Sequence, residues 1–495
     1  MGKYLLSIDN GLTATKAVLF HIDGRQIQSS LQQTPVINRG AFSEIDMNEQ
    51  WARTAKCISD VIKKAGISPL QIVAIGGTGH GAGLYLLDRE DQPLGMAVTS
   101  MDNRSSGIVK GWQDENITAY DMTLHPVWAG QAIPILRWLK INDYDRYNQI
   151  HKILSVKDWI KYKLTGCSTC EYTDASNSGL INLRTCSYDK EILSIYGIEE
   201  MYEKLAPLSG SSEVIGYVTG EAAAQTGLVE GTPVTAGLFD VVSCALGSGV
   251  YDDSLYSMIA GTWNINSGIE KDIVNCDSNT KCSLFADGTN YIYVESSATS
   301  AVNLEWLADN MTTGFGSPVS DKGELYKAID IEVEKLKPEE LNIFYLPFLH
   351  DCYLAEGVNA GFFGIRAEHN IFHMFRAVFE GVAFAHRMHI DNLRKGGIIR
   401  SKAVLSGGAS NSDVWCQIFA DVLNIKVETT ESSQAGALGT AANSAIAIGL
   451  YNDFETAVSN MVKKARTYYP GENSDIYQSK FKAFKELIEK LAGNN

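Results

Sequence analysis

Two short stretches constrain this chain more than any others. YLLSIDNGLTATKAVLF (4–20) runs from one apolar segment through Asn10-Gly11 into a second apolar segment. SLYSMIAGTWNINSG (254–268) repeats that plan around Gly261-Thr262, about half a chain later. Asn-Gly between apolar runs is a strong hairpin signal, because both turn residues tolerate positive φ. A polar-tipped hairpin opening each half predicts a duplicated architecture. The expected join is the glycine-rich, acidic GSGVYDDS (247–254), which divides the chain into domains 1–246 and 247–495. At 495 residues the chain is too long for one ordinary core.

Within each half, strand and helix signals alternate. QIVAIGG (71–77), GLYLLD (83–88), TPVTAGLFD (232–240) and KAVLSGG (402–408) read as strands. Helical periodicity marks 51–66, 134–142, 156–166, 371–395, 412–424 and 435–449, several of them closed by glycine. This alternation predicts an α/β fold.

The 42 Lys and Arg against 58 Asp and Glu leave a net charge of -16. A body that acidic repels nucleic acid and anionic lipid, so neither is expected as a partner. No apolar run approaches the roughly 18 to 20 residues of a membrane span. Asp9 breaks the first apolar stretch too early for a signal peptide. The nine scattered cysteines point to free thiols in a reducing cytoplasm. Cys167 and Cys170 have CxxC spacing but no second pair, and read as structural thiols.

Several polar constellations carry candidate chemistry. Gly11, Thr13 and Lys16 in the first hairpin are suited to receive an anion, and Asp9 beside them should repel it. GGTGHGAG (76–83) has no GxGxxG register and is followed by a strand, so a dinucleotide site is excluded; the Walker loop GxxxxGK[ST] is absent as well. His80 at that loop's tip reads either as a solvated residue or, with backbone-baring glycines around it, as a ligand contact. His369 and His373, and His386 and His389, lack the acid of a zinc motif and read as core or surface histidines.

Asp240 ends an apolar strand and precedes a helix of small residues. It reads as a helix N-cap, as a general base at the carboxyl end of a strand, or as both. Asp102 and Arg104 in TSMDNRSSG (99–107) read as a solvated ion pair or as a hydroxyl-reading acid with a docking arginine. SGGASN (406–411) is a tight turn whose flat backbone could accept an adenine ring beside Asn411.

Taken in order, these segments resemble the FGGY carbohydrate kinases. DNGLTATK (9–16) resembles the family's first phosphate motif and GTWNINSG (261–268) its second. EIDMNEQW (44–51), GTGHGAGLYLLD (77–88) and MDNR (101–104) are similar to the segments around its sugar site. KDWIKYKLTG with TDASNSG (173–179), AGLFD (236–240), FRAVFEGVAF (375–384), LSGGASNSDVWCQIFADVL (405–423) and ESSQAGALGTA (431–441) complete the set over nearly the whole chain.

The resemblance implies two actin-like (ribonuclease H-like) ATPase domains with an interdomain cleft. It implies ATP-dependent phosphorylation of a small sugar or polyol with Mg²⁺. Asp240 would be the general base and would face the sugar. Asp9 would hold the metal, Thr13 and Thr262 would meet phosphates, and Gly407, Gly408 and Asn411 would belong to the adenosine site. Gly11, Lys16 and Gly261 fall in the two phosphate hairpins, and His80, Asp102 and Arg104 in the sugar loops. Mg²⁺ at Asp9 would turn repulsion of phosphate into attraction.

The sugar loop looks most like that of L-xylulose and other pentulose kinases, with erythritol, glycerol, rhamnulose and gluconate as alternatives. A non-catalytic sensor on the same scaffold and an actin- or chaperone-type ATPase are the rival readings. Members of this family are often homodimers, which makes a homodimer one option here.

Three departures stand out. Leu12 occupies a place usually held by Thr or Gly, Ser100 one where Trp is frequent, and HDCY (350–353) replaces Gly-Glu-Arg. The first bears on nucleotide affinity, the others on substrate identity.

Overall fold

The computed structural model describes residues 2–34, 36–277, 279–313, 322–350 and 352–493. Asp351 of the HDCY segment lies outside the described residues. Both expected hairpins are present, and each starts a seven-stranded sheet.

The first sheet contains β1 (Tyr4–Asn10), β2 (Ala14–His21), β3 (Gln26–Gln33), β4 (Ile72–Gly79), β5 (Val214–Tyr217), β6 (Pro233–Thr235) and β7 (Leu238–Phe239). Its order is β5-β6-β4-β1-β2-β3, with β7 also on β4. β1, β2 and β3 form an antiparallel meander, after which β4 and β6 add in parallel. The second sheet contains β8 (Tyr256–Ala260), β9 (Asn264–Glu270), β10 (Lys281–Leu284), β11 (Tyr291–Ser297), β12 (Lys402–Ser406), β13 (Lys426–Thr430) and β14 (Lys464–Tyr468). Here β8, β9 and β11 make the meander, β12 and β13 add in parallel, and β10 extends the edge. The same path is traced twice.

Each hairpin has a three-residue loop, 11–13 and 261–263, rather than a two-residue turn. The Gly11 amide donates to the Ala14 carbonyl at 3.0 Å, and neither Asn10 nor Gly11 adopts positive φ. The Asn-Gly expectation therefore located the hairpin but not its turn. Asn10 stays extended because its side chain works inside the sheet, donating to Thr15 Oγ1 at 2.9 Å and Thr54 Oγ1 at 3.1 Å. GLYLLD also differs: Tyr85–Leu87 pairs with Lys152–Leu154 in a small separate sheet.

Helices cover both faces. Helix α1 (Met47–Ala65) starts where Asp46 accepts the Asn48 and Glu49 amides and buries Trp51, Ile58, Val61 and Ile62. Burying each such aliphatic side chain contributes about 1.5–3 kcal/mol. Further helices are α2 (Val156–Thr165), α3 (Tyr172–Asn177), α4 (Asp240–Gly247), α5 (Lys322–Glu334), α6 (Ile371–Lys395), α7 (Asp413–Leu423) and α8 (Ala435–Ala447).

Helices α4 and α8 meet backbone to backbone. A Cβ on Gly439 would lie 1.9 Å from the Ser243 carbonyl oxygen, and one on Gly247 1.8 Å from that of Ala435. Ser243 Oγ donates to the Gly436 carbonyl at 2.6 Å. Helix α8 also covers the first sheet, with Ala437, Leu438 and Ala441 in one core with Leu5, Val18 and Ala74. The edge strand β10 reaches the other way. Its Cys282 amide donates to the Leu124 carbonyl at 2.9 Å, and its Leu284 amide to Ser176 Oγ at 3.0 Å.

Candidate active site

Strand β6 ends at Thr235, and Gly237 (φ +84) lets the chain step sideways into β7. A Cβ there would lie 2.0 Å from the Gly77 carbonyl oxygen, so only glycine fits. This step delivers Asp240 to the carboxyl end of the sheet. Phe239 takes the N-cap position of α4 and Asp240 is its first helical residue, so the N-cap reading fails. Burial, then the charge of Asp9, then that of Asp174 push the Asp240 carboxyl up to about 8, while the Val241 amide pulls it down. Burial likewise raises Asp9, against the nearby Lys16 ammonium. Two sequence-predicted acids therefore share one electrostatic environment.

His80 is buried rather than solvated. Its amide donates to the Asn10 carbonyl at 3.1 Å, tying this loop to the first hairpin. Its Nδ1 lies 3.4 Å from the Gly81 carbonyl, and its Nε2 is buried without a partner. Burial lowers its pKa, and Asp174 opposes that shift.

Asp174 was not singled out from sequence, and it connects His80 to Asp240. Its Oδ2 accepts from Lys157 Nζ at 2.9 Å, while its Oδ1 is buried and unpartnered. Lys157 is fully buried and also meets Asp158 at 3.3 Å and Glu171 at 3.5 Å; Lys161 meets Asp158 at 2.8 Å. Asp174, Asp158 and Glu171 are likewise buried, so the cluster is an internal ionic frame.

His125, Gln131 and Asn177 continue the same wall. A Cβ on Gly81 would lie 2.3 Å from Asn177 Nδ2. Gln131 Nε2 lies 3.0 Å from His125 Nδ1 and 3.3 Å from the Asn177 carbonyl. His125 Nε2 is buried and unpartnered, and burial lowers the ring's pKa to about 4. Asn177 lies in the TDASNSG segment that the resemblance includes, whereas His125 and Gln131 come from a loop with no motif spacing, so the sequence carried no signal for them.

Asp102 and Arg104 form a buried pair, not a solvated one. The Asp102 carboxylate accepts from the Ser43 amide at 2.7 Å, the Arg104 amide at 3.0 Å, Arg104 Nε at 2.8 Å and Arg104 Nη2 at 2.9 Å. Arg104 also meets Glu44 at 2.7 Å and lies over the Phe42 ring at 4.4 Å. Among the described residues, no hydrogen bond or ion pair links either side chain to His80 or Asp240. The pair braces the loop.

On the second-half side, a cavity of about 580 Å³ is lined by Gly261, Thr262, Gly408, Asn411, Tyr326 and Asp330, among others. Phe379 and Trp415, stacked at 4.3 Å, supply apolar wall. Gly407 (φ +89) stands behind it, where a Cβ would lie 2.7 Å from the Ala260 carbonyl carbon. Close backbone approach there brings the SGGASN turn against the second hairpin. Thr13 is exposed at the first hairpin tip and Lys16 is half-buried on β2.

Among the described residues, no three His, Cys, Asp or Glu side chains gather as for a metal, and the histidines at 386 and 389 are taken up in the core. His386 pairs with Asn266 and Ser300, and His389 with Ser297 and Glu295, all buried. Tyr353 of the HDCY segment donates to the same Glu295. Among the described residues, no helix is long and apolar enough to cross a membrane.

Comparison with known proteins gives this geometry its context. The model of the FGGY family of carbohydrate kinases, N-terminal domain, matches residues 4–247, and that of its C-terminal domain matches residues 256–448. The chain belongs to the FGGY family of carbohydrate kinases. A probable L-xylulose kinase of Haemophilus influenzae is 36% identical over 99% of this FGGY chain and 99% of its own. The L-xylulose/3-keto-L-gulonate kinase of Escherichia coli is 33% identical over 100% of this chain and 98% of its own. The crystal structure of gluconate kinase from Lactobacillus acidophilus superposes with a TM-score of 0.88 at 24% identity, covering 99% of both chains. That likeness places this FGGY member in the two-domain actin-like fold.

Proposed function

We propose that this chain transfers the γ-phosphoryl group of ATP to a hydroxyl of a ketopentose of the L-xylulose type, with Asp240 as general base. The observation that carries this reading is the position of Asp240, at the end of a sheet, within the electrostatic reach of Asp9 and Asp174. Phosphoryl transfer depends mainly on positioning and charge stabilisation, and the base must take one proton from the attacking hydroxyl. His80 Nε2 and Asp174 Oδ1 are buried acceptors in want of donors, His125 Nε2 is a buried nitrogen in want of a partner, and sugar hydroxyls both donate and accept.

Asp9, a carboxylate beside the first hairpin, fits Mg²⁺, which binds through one or two carboxylates together with substrate phosphates. Bound there, the ion would neutralise triphosphate charge. Thr13, Thr262 and the hairpin amides of Gly11 and Gly261 would follow the phosphates, with Lys16 adding a positive charge. Gly407, Gly408 and Asn411 would seat the adenosine. Asp102 and Arg104 act as positioning residues for the sugar loop. The division into 1–246 and 247–495 belongs to the same reading, with α8 as the part of the second domain that covers the first sheet.

ADP release measured over L-xylulose, D-xylulose, erythritol, glycerol, L-rhamnulose and gluconate tests the proposal. Sugar-dependent ADP formation strongest with L-xylulose supports it. Steady ATP hydrolysis without sugar indicates an ATPase, and binding without turnover indicates a sensor.

A further inference from the structure

Beyond the hydroxyl-matching acceptors, the pocket wall ends in a different kind of group. Charge and contact order its residues. Asp174 is felt by both Asp240 and His80, Gly81 abuts Asn177, and Gln131 joins Asn177 to His125. The next charge felt by His125 is that of Lys281. Lys281 is delivered from the second half by β10, next to Cys282, whose amide bonds the Leu124 carbonyl beside His125. The two backbone contacts of β10 to Leu124 and Ser176 hold it there.

Lys281 is poorly satisfied where it sits. Its Nζ has Ser296 Oγ at 3.4 Å and the Trp128 ring at 5.7 Å. Among the described residues, no carboxylate comes within ion-pair distance of it. The acid whose charge it feels most, Glu295, is already bonded to Thr280 at 2.5 Å, to His389 at 3.0 Å and to Tyr353. Burial lowers the Lys281 pKa accordingly. Lys281 is half-buried; an ammonium partly taken out of water without an anion is costly, and a ligand carboxylate would relieve that cost. Trp128 offers an apolar face at the same end.

We propose that Lys281, with Trp128 and His125, forms an anion subsite that accepts the carboxylate of a six-carbon keto-sugar acid. The kinase then takes sugar acids one carbon longer than a ketopentose, with the carboxylate at Lys281 and the reacting hydroxyl at Asp240. This inference rests on the sugar-kinase reading above and names its substrate class. His125 is neutral near pH 7 and serves as a hydrogen-bonding partner for a hydroxyl or carboxylate oxygen, so the charge recognition falls to Lys281.

The test compares kcat/KM for 3-keto-L-gulonate with that for L-xylulose, in the wild-type enzyme and in Lys281→Met and Lys281→Arg. The ratio of acid to neutral sugar is expected to fall about thirtyfold or more in Lys281→Met, as for loss of one partner of a buried charge pair. Lys281→Arg should recover part of it. Raised ionic strength should lower the wild-type ratio and leave that of Lys281→Met unmoved. A ratio that stays within about threefold in Lys281→Met overturns the subsite, since a merely structural lysine would depress both substrates together. Activity on L-xylulose with neither turnover nor competitive inhibition by the acid also overturns it, while sparing the kinase reading. Silence with every sugar overturns both.

Discussion

Lys157 Nζ lies 2.9 Å from Asp174 Oδ2, and that contact leaves Asp174 Oδ1 buried and without a partner. The lysine fixes one oxygen and leaves the other buried and able to accept. Lys157→Met would leave Asp158, Glu171 and Asp174 with Lys161 as the nearest cation. Losing one partner of a buried ion pair costs about 3–5 kcal/mol. Urea denaturation should show a loss of that size, whereas removal of an exposed pair such as Lys327–Glu324 should cost about 0.5 kcal/mol or less.

Asp240 must be ionised to accept a proton, and its carboxyl is pushed up to about 8. In the free enzyme kcat/KM should therefore rise about tenfold per pH unit below that value and level off above it. Asp9→Asn removes one of the charges that raise Asp240, so the midpoint of its residual activity should move to lower pH. A midpoint that stays put or rises would show that the two acids are not coupled.

The same shift governs stability. A carboxyl raised in the folded state from its usual 3.8 costs nothing below about pH 4, where it is protonated whether folded or not. The cost grows as pH rises and is complete above about 8. Asp240→Asn should therefore melt higher than the wild type at pH 9, by about 3 °C or more, with the gap closing toward pH 4. Activity should fall by about a hundredfold to ten-thousandfold in the same variant, with nucleotide binding retained.

Asp102→Asn should act on the sugar loop rather than on chemistry. The Asp102 carboxylate takes two bonds from the Arg104 guanidinium, and the amide side chain would keep one acceptor and no charge, leaving Glu44 as the ion-pair partner of Arg104. Steady-state kinetics should show a raised sugar KM with the KM for ATP unmoved, together with a stability loss of about 3 kcal/mol. A raised KM for ATP instead would contradict a role confined to the sugar side.

Much of this fold was legible because apolar periodicity and turn residues are local signals. Both hairpins, the glycine-ended helices and Asp240 at a strand's end could be read that way. The turn at Asn10-Gly11 could not, because Asn10 is held extended by Thr15 and Thr54, the latter on a helix far along the chain. Lys157 and Lys161 carry no local sign of burial, since their four-residue spacing is also what a surface face shows. Three acids, two of them on a separate stretch at 171–174, allow that face to be buried. Lys281 was invisible for a related reason: β10 belongs to the second sheet but is anchored on the first half, and no spacing along the chain encodes that contact.

The backbone-to-backbone seam between α4 and α8 has a mechanical consequence. A seam of glycine, alanine and serine has few side chains to interlock, with Ser243 bonded across it to Gly436 and Thr440, so a turn of one sheet against the other would pivot there. Any rotation about an axle displaces atoms in proportion to their distance from it. Asp240 begins one of the two helices and sits beside the axle, whereas the loops bearing Asn411 and Arg104 ride on the arms. In such a rotation the proposed base would stay still while the groups proposed to hold its reactants would be swung toward it.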